Sequence, residues 1–204
     1  MKQPPEQALS TATEIFARAG GILRASAAIK AGIQPRTLYW MRDENLLEPL
    51  SRGVYHLSAL PLPPQPDVIA VAQRVPDAVL CLISALDFYE VGTQVPAEVQ
   101  IALPRGTKAP WIDCPRIRVF HMSEASLQAG VEVTRVGSTL LRVFGVAKTA
   151  ADCFKYRNRI GLNVALEALQ EVLRERRATP GEIMEFAEID RVSRIVRPYL
   201  EALL

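Results

Sequence analysis

Apolar residues recur at helical spacing over residues 6–19, where Ala8, Leu9, Ala12, Ile15, Phe16 and Ala19 share one face, and Gly20-Gly21 then stops the helix. Leu23, Ala27, Ala28 and Ala31 repeat the pattern and predict a helix over residues 23–31, ended by Gly32, whose missing Cβ suits a left-handed cap. Ile33 is placed to anchor the turn, Gln34 stands at an N-cap, and Pro35 takes the first helical position, where its missing N–H costs nothing. In the helix that follows, Leu38 and Met41 turn inward with Leu46 or Leu47. Arg36, Thr37, Tyr39, Trp40 and Arg42 are left on the outward side. Asn45, which tolerates a left-handed backbone, ends that helix. Two short strands, residues 47–50 and 54–57, then flank the turn Ser51-Arg52-Gly53.

The pattern changes at Pro61-Leu62-Pro63-Pro64-Gln65-Pro66. Four prolines in six residues forbid a helix and favour an extended spacer, which puts a domain boundary between residues 1–60 and 67–204. At about 3.1 Å per residue the spacer reaches only some 20 Å. Beyond it, residues 68–74 and 78–89 read as helices and residues 98–103 and 116–121 as strands, with the turn Pro104-Arg105-Gly106-Thr107 between the two strands. Residues 131–136 and 139–144 form a hairpin around Gly137-Ser138. Helices follow over 147–156, 162–176, 180–186 and 191–203, with Thr179 as an N-cap and Pro180 at N1. The expected class is α+β: an N-terminal winged helix-turn-helix domain, then a C-terminal α/β domain with a small sheet and a helical C-terminal half.

Two helices joined by a tight turn, the second opening on small polar and basic residues, present a recognition helix to base edges in the major groove, and a β-wing beside them reaches the backbone. The candidate DNA-binding set is therefore Gln34, Arg36, Thr37, Tyr39, Trp40 and Arg42 on the helix with Ser51, Arg52 and Gly53 at the wing tip. The competing reading of the same pattern is a protein-docking module in which Tyr39 and Trp40 pack on a neighbour.

With 49% hydrophobic and 23% charged residues in 204, the chain reads as an ordinary globular protein. The start MKQPPEQ lacks the apolar stretch of a signal peptide, and no run approaches the roughly 18 apolar residues of a membrane span, so a cytoplasmic location is expected. Cys81, Cys114 and Cys153 are too scattered for a disulfide framework or a zinc site and are expected as buried thiols. The net charge is only +2, but residues 102–159 hold ten basic and four acidic groups. Arg105, Lys108, Arg116, Arg118, Lys148, Lys155 and Arg157 in that stretch form a second phosphate-contacting patch if they share a face.

Lys148, Asp152 and Lys155 fall at i, i+4 and i+7, and with no second carboxylate or histidine nearby in sequence they read as a surface ion-pair ladder rather than a site. A metal-dependent nuclease would need clustered carboxylates. Asp87 followed by Glu98-Val99-Gln100 is the nearest approach. His56 and His121 have no triad partners at recognisable spacing, and no glycine-rich phosphate loop occurs. No enzyme activity, metal or cofactor is expected.

Three segments carry a family resemblance: GIQPRTLYWMRDENLLEPLSRGVYHL (32–57), IALPRGTKAPWIDCPRIRVF (101–120) and VFGVAKTAADCFKYRNRIGLNVALEAL (143–169). Together they resemble the AbiEi-type antitoxins, DNA-binding regulators of type IV toxin-antitoxin systems associated with phage defence. The resemblance spans nearly the whole chain, the first segment being generic and the other two more specific. It implies a winged-helix repressor that binds inverted repeats in its own promoter, as a monomer or dimer on DNA. It further implies a separate nucleotidyltransferase-like toxin that is antagonised without a required stable complex, or, as the alternative, by direct contact. The C-terminal domain is implied to carry the antitoxin activity. In this chain Trp40 stands where such a recognition helix usually has a basic residue, Pro49 interrupts a wing strand, and Asn45 replaces a common glycine.

Overall fold

The computed structural model describes residues 3–204; Met1 and Lys2, which the sequence reading counts in the first domain, lie outside the described residues. By packing, the chain divides into two units. The first comprises the described residues up to Pro76 together with 110–116 and 134–141, and the second comprises 77–109, 117–133 and 142–204.

The first unit begins with α1 (Glu6–Arg18), β1 (Ile22–Arg24), α2 (Ala25–Lys30) and α3 (Pro35–Asp43), and continues through β2 (Leu47–Ser51), β3 (Val54–Leu57) and α4 (Pro66–Arg74). Leu23 and Arg24, expected in a helix, instead belong to a strand that pairs antiparallel with β3, setting Ile22 opposite His56 and Arg24 opposite Val54. Gly20 and Gly21 at positive φ redirect the chain, and the Leu57 N–H donates to the Gly21 carbonyl. Once a ladder partner is present, pairing outweighs the helical propensity of a short apolar stretch. The sheet order is β1-β3-β2, so all four residues of β3 are buried in the centre. Pro49 is tolerated because β2 is an edge strand, and the register shifts between Pro49 and Ser51. Ala12, Phe16, Ala28, Ile33, Leu38, Met41 and Leu57 build the core, completed by Leu47, whereas Leu46 is exposed. A smaller cluster of Ile22, Val54, Ile69 and Ala70 is capped by Val136.

The second unit opens on β4 (Val79–Leu80) and α5 (Leu82–Phe88), followed by β5 (Val99–Pro104), β6 (Ile117–Met122) and α6 (Glu124–Gln128); next come β7 (Val131–Val136) and β8 (Thr139–Phe144), of which residues 134–141 belong to the first unit. It closes with α7 (Val146–Lys155), α8 (Arg157–Ile160), α9 (Leu162–Arg174), α10 (Pro180–Ile189) and α11 (Ser193–Leu203). The five-stranded sheet runs β6-β5-β4-β8-β7, with β4 antiparallel to β5 but parallel to β8, and β5 parallel to β6. The helix expected over residues 78–89 starts only at Leu82, because Val79 and Leu80 are sheet residues between β5 and β8. A buried run with apolar residues on all sides reads alike in helix and central strand. Phe120, Phe144 and Phe154 with Ala165, Leu169, Val172 and Ile183 fill the core beneath α7, α9 and α10. Thr179 caps α10 as expected, in a full capping box with Glu182.

Candidate nucleic-acid interface

The turn between α2 and α3 is built as its residues dictate. Gly32 lies at φ +106°, its N–H donates to the Ile29 carbonyl, and the Ile33 N–H reaches back to the Ala28 carbonyl, a closing pattern that satisfies the last carbonyls of α2. Ile33 is buried and fixes the turn on the core, after which extended Gln34 and Pro35 start α3. Asn45 takes the left-handed conformation (φ 59°) just past the end of α3.

Of the helix residues singled out from sequence, Gln34, Arg36, Tyr39 and Arg42 are exposed. Thr37 is not: at 3% exposure it faces the core, since Thr37, Leu38 and Met41 share the inward face at spacings of three and four. Trp40 follows three residues after Thr37 and is half-buried against the same core, so it is packing rather than a free stacking ring. Arg42 donates through Nε and Nη2 to Asp43 Oδ1 at 2.9 and 2.6 Å, and its guanidinium lies 5.2 Å from the Tyr39 ring centre. Hydrogen bonds to Asp43 and Tyr55 raise its pKa further. A groove of about 500 Å³ lies along the start of α3, lined by Gln3, Pro4, Pro5, Glu6, Gln34, Arg36 and Thr37.

At the hairpin tip Arg52 is exposed and Gly53, at φ +74°, makes the turn. Ser51, expected beside them at the tip surface, is 5% exposed, and its Oγ has no hydrogen-bond partner among the described residues; the bulge after Pro49 turns it inward. A residue missed from sequence joins this tip: Arg74 of α4 donates to the Arg52 carbonyl at 2.7 Å. Nothing in the linear pattern signals that contact, which spans 22 residues.

The second basic patch dissolves into separate roles. Arg105, Lys108 and Arg116 are exposed, but Arg116 packs with the first unit and the other two with the second. Arg118 is paired with Glu98 at 3.6 Å, and Arg157 donates to the Phe154 carbonyl. Lys148 and Asp152 are fully buried, which corrects both the patch and the surface ladder. Lys148 Nζ bonds Asp152 Oδ1 and, at 3.0 Å, Asp190 Oδ2; Lys155 Nζ meets Asp190 Oδ1 at 2.8 Å; Ser126 Oγ donates to Asp190 Oδ1 at 2.6 Å. The second carboxylate lies 42 residues beyond Lys148, invisible to a local search. Burial pushes Asp152 well up, against the pull of Lys148 and with the help of neighbouring Asp190. Burial would raise Asp190 too, but hydrogen bonds with Asp152, Lys155 and Ser126 and the Lys148 charge hold it below the usual carboxylate range. These contacts pin α6, α7 and the end of α10 together around Asp190.

Glu98 is spent on Arg118, and Gln100 is buried, its Oε1 accepting the Ile83 N–H. Asp87 is likewise engaged. Among the described residues no group of three or more His, Cys, Asp or Glu is arranged to hold a metal, and no helix is long and apolar enough to cross a membrane. His56 is buried in β3, and His121 Nε2 sits 2.8 Å from the Thr107 carbonyl. Cys81 and Cys153 are buried and their thiol pKa values are pushed up by burial; Cys114, expected to be buried, is exposed.

Residues 10–57, the span from α1 through β3, match the family model of the AbiEi antitoxin transcriptional regulators, so the likeness expected from the sequence is shown over this part of the chain. A similar solved structure is that of the RV2827C protein from Mycobacterium tuberculosis, at 12% identity and a TM-score of 0.48, covering 92% of this chain and 83% of that one. No curated protein matches.

Proposed function

We propose that the first unit binds duplex DNA and that the protein is an autoregulating transcriptional repressor and the antitoxin of a type IV toxin-antitoxin pair. The observation that carries this reading is the face of α3: Gln34, Arg36, Tyr39 and Arg42 stand exposed on a helix seated by Ile33, Leu38 and Met41, next to a hairpin ending in Arg52. It lies within the span matched by the regulator family. Arg36, the second residue of α3, is placed to bond a base edge, while Arg52 meets a phosphate. Arg42 reaches DNA by exchanging Asp43 for a phosphate oxygen. The target is the inverted repeat in its own promoter, in the cytoplasm, and the second unit carries antagonism of a nucleotidyltransferase-like toxin.

A mobility-shift assay with the duplex upstream of its own gene tests this. Affinity falls on a log scale with a slope near −0.9 per phosphate neutralised. Arg36→Ala costs about 1–3 kcal/mol and relaxes base preference at one position, whereas Arg52→Ala weakens all duplexes alike and flattens the salt slope by about one. Absence of binding to upstream DNA at low salt refutes the reading.

A further inference from the structure

Arg74, the last residue of α4, reaches two main-chain oxygens at once: Nη1 donates to the Arg52 carbonyl at 2.7 Å and Nη2 to the Trp111 carbonyl at 3.4 Å. It thereby ties the hairpin tip to segment 110–116, which packs within the first unit although it lies far along the chain. Held in this way, Trp111 leaves 68% of its surface exposed. A ring of that size is an expensive thing to leave in water, and the first core makes no use of it. Arg74 and the Arg52 main chain meet at this point, and the same segment carries Arg116 and Asp113, whose carboxylate accepts the N–H of the next residue, Cys114. Both Arg74 contacts are to neutral carbonyls, so its charge is not cancelled by them.

We propose that segment 110–116 is a second contact element of the DNA-binding face, in which Trp111 lays its indole on the sugar-phosphate wall of a duplex beside Arg52, with Arg74 and Arg116 facing phosphates. The inference rests on the reading of the first unit as DNA-binding and extends that surface. Duplex DNA is the occupant because the patch is continuous with the hairpin tip and its charge is complementary to a phosphate backbone. An indole against sugars adds affinity without reading bases, and being uncharged it releases no counterions. Its loss therefore weakens all duplexes equally and leaves the salt slope unchanged, unlike the loss of Arg36 or Arg52.

The test uses the full chain and its Trp111→Ala variant, titrated with the duplex upstream of its own gene and with an unrelated duplex of equal length. Trp111→Ala is expected to weaken binding to both by about three- to tenfold at constant salt slope. The difference in acrylamide quenching between parent and variant, which isolates Trp111 from Trp40, is expected to shrink when DNA is added. If the parent binds DNA while the variant binds equally well and Trp111 stays open to acrylamide, the inference is overturned and the DNA-binding reading stands. If Trp111 becomes protected as protein concentration rises without DNA, the patch belongs to a second copy and the inference is again overturned. If the parent binds no duplex, both readings fall together.

Discussion

Lys148 Nζ is fully buried, with the carboxyl groups of Asp152 and Asp190 and the Ser126 hydroxyl around it. Such a group is stabilising only as a set: removing one member of a buried pair leaves the other uncompensated, at about 3–5 kcal/mol. Asp190 is the common acceptor of Lys148, Lys155 and Ser126, so Asp190→Asn is expected to cost that amount in urea unfolding at neutral pH. Asp152→Asn is expected to cost clearly less, since burial already favours its protonated form. The two sites also differ in sign with pH. Asp190, held below its ordinary 3.8, contributes stability that is present above that value and is lost as pH falls through its folded pKa. Asp152, raised above 3.8, retains a proton in the folded state, so its contribution declines as pH rises through the window above 3.8. Unfolding curves from about pH 2 to 6 separate them, with Asp190→Asn losing the acid-side fall and Asp152→Asn losing the decline above it. Equal pH profiles for parent and Asp190→Asn would refute this assignment.

At the level of elements, what the sequence disclosed depended on length and on local chemistry. Helices α1 and α9 and the strands β7 and β8 emerge at or near their observed bounds because each repeats its period often enough to be read. The Gly32-to-Pro35 turn was legible because each residue there has a backbone reason for its place. Strands β1 and β4, of three and two residues, give no alternation to read, and only their partners β3, β5 and β8 define them. The same limit applies to the site. The exposure of Arg36 and Arg52 follows from motif position, whereas Thr37 and Ser51, expected on the same surface, are buried because a half-turn of helix or one bulge decides which way a small polar residue points. The cap of α10 is a purely local device, and its energy should be local too. Thr179 Oγ1 accepts the Glu182 N–H at 3.2 Å while Glu182 Oε2 accepts the Thr179 N–H at 2.7 Å. Thr179→Ala is expected to lower stability by about 1 kcal/mol and Thr179→Ser by much less, measured by denaturant unfolding. A loss as large for serine as for alanine would show that the methyl packing, not the cap, carries the energy.

Over the whole molecule, the positive stretch at residues 102–159 turns out to be no single surface. Lys148 and Lys155 are paired with Asp152 and Asp190, and Arg116 and Arg135 pack with the first unit, whose described residues thereby hold nine basic against seven acidic groups. The first unit is thus assembled from three stretches of chain, and its stability has to depend on residues far from the helix-turn-helix. Gly137, at the tip of the β7–β8 hairpin, is the sharpest case. It sits at φ +61°, a Cβ there would lie 2.9 Å from the Ala19 carbonyl oxygen and 3.3 Å from the Gly20 Cα, and the neighbouring Ser138 N–H donates to that same Ala19 carbonyl. Gly137→Val combines a left-handed β-branched residue, costing about 1–2 kcal/mol, with a clash against backbone that cannot yield. The effect is separable by probe. Half-buried Trp40 reports the first core, and buried Cys81 and Cys153 report the second by their reaction with a thiol reagent, after exposed Cys114 has reacted at once. Gly137→Val is expected to move the tryptophan transition to lower denaturant by more than it moves the exposure of the two buried cysteines, and to weaken DNA binding at 37 °C although it changes no DNA-facing residue. Coincident shifts in both probes would mean that the two cores unfold as one and that the hairpin tip has no special tie to the first.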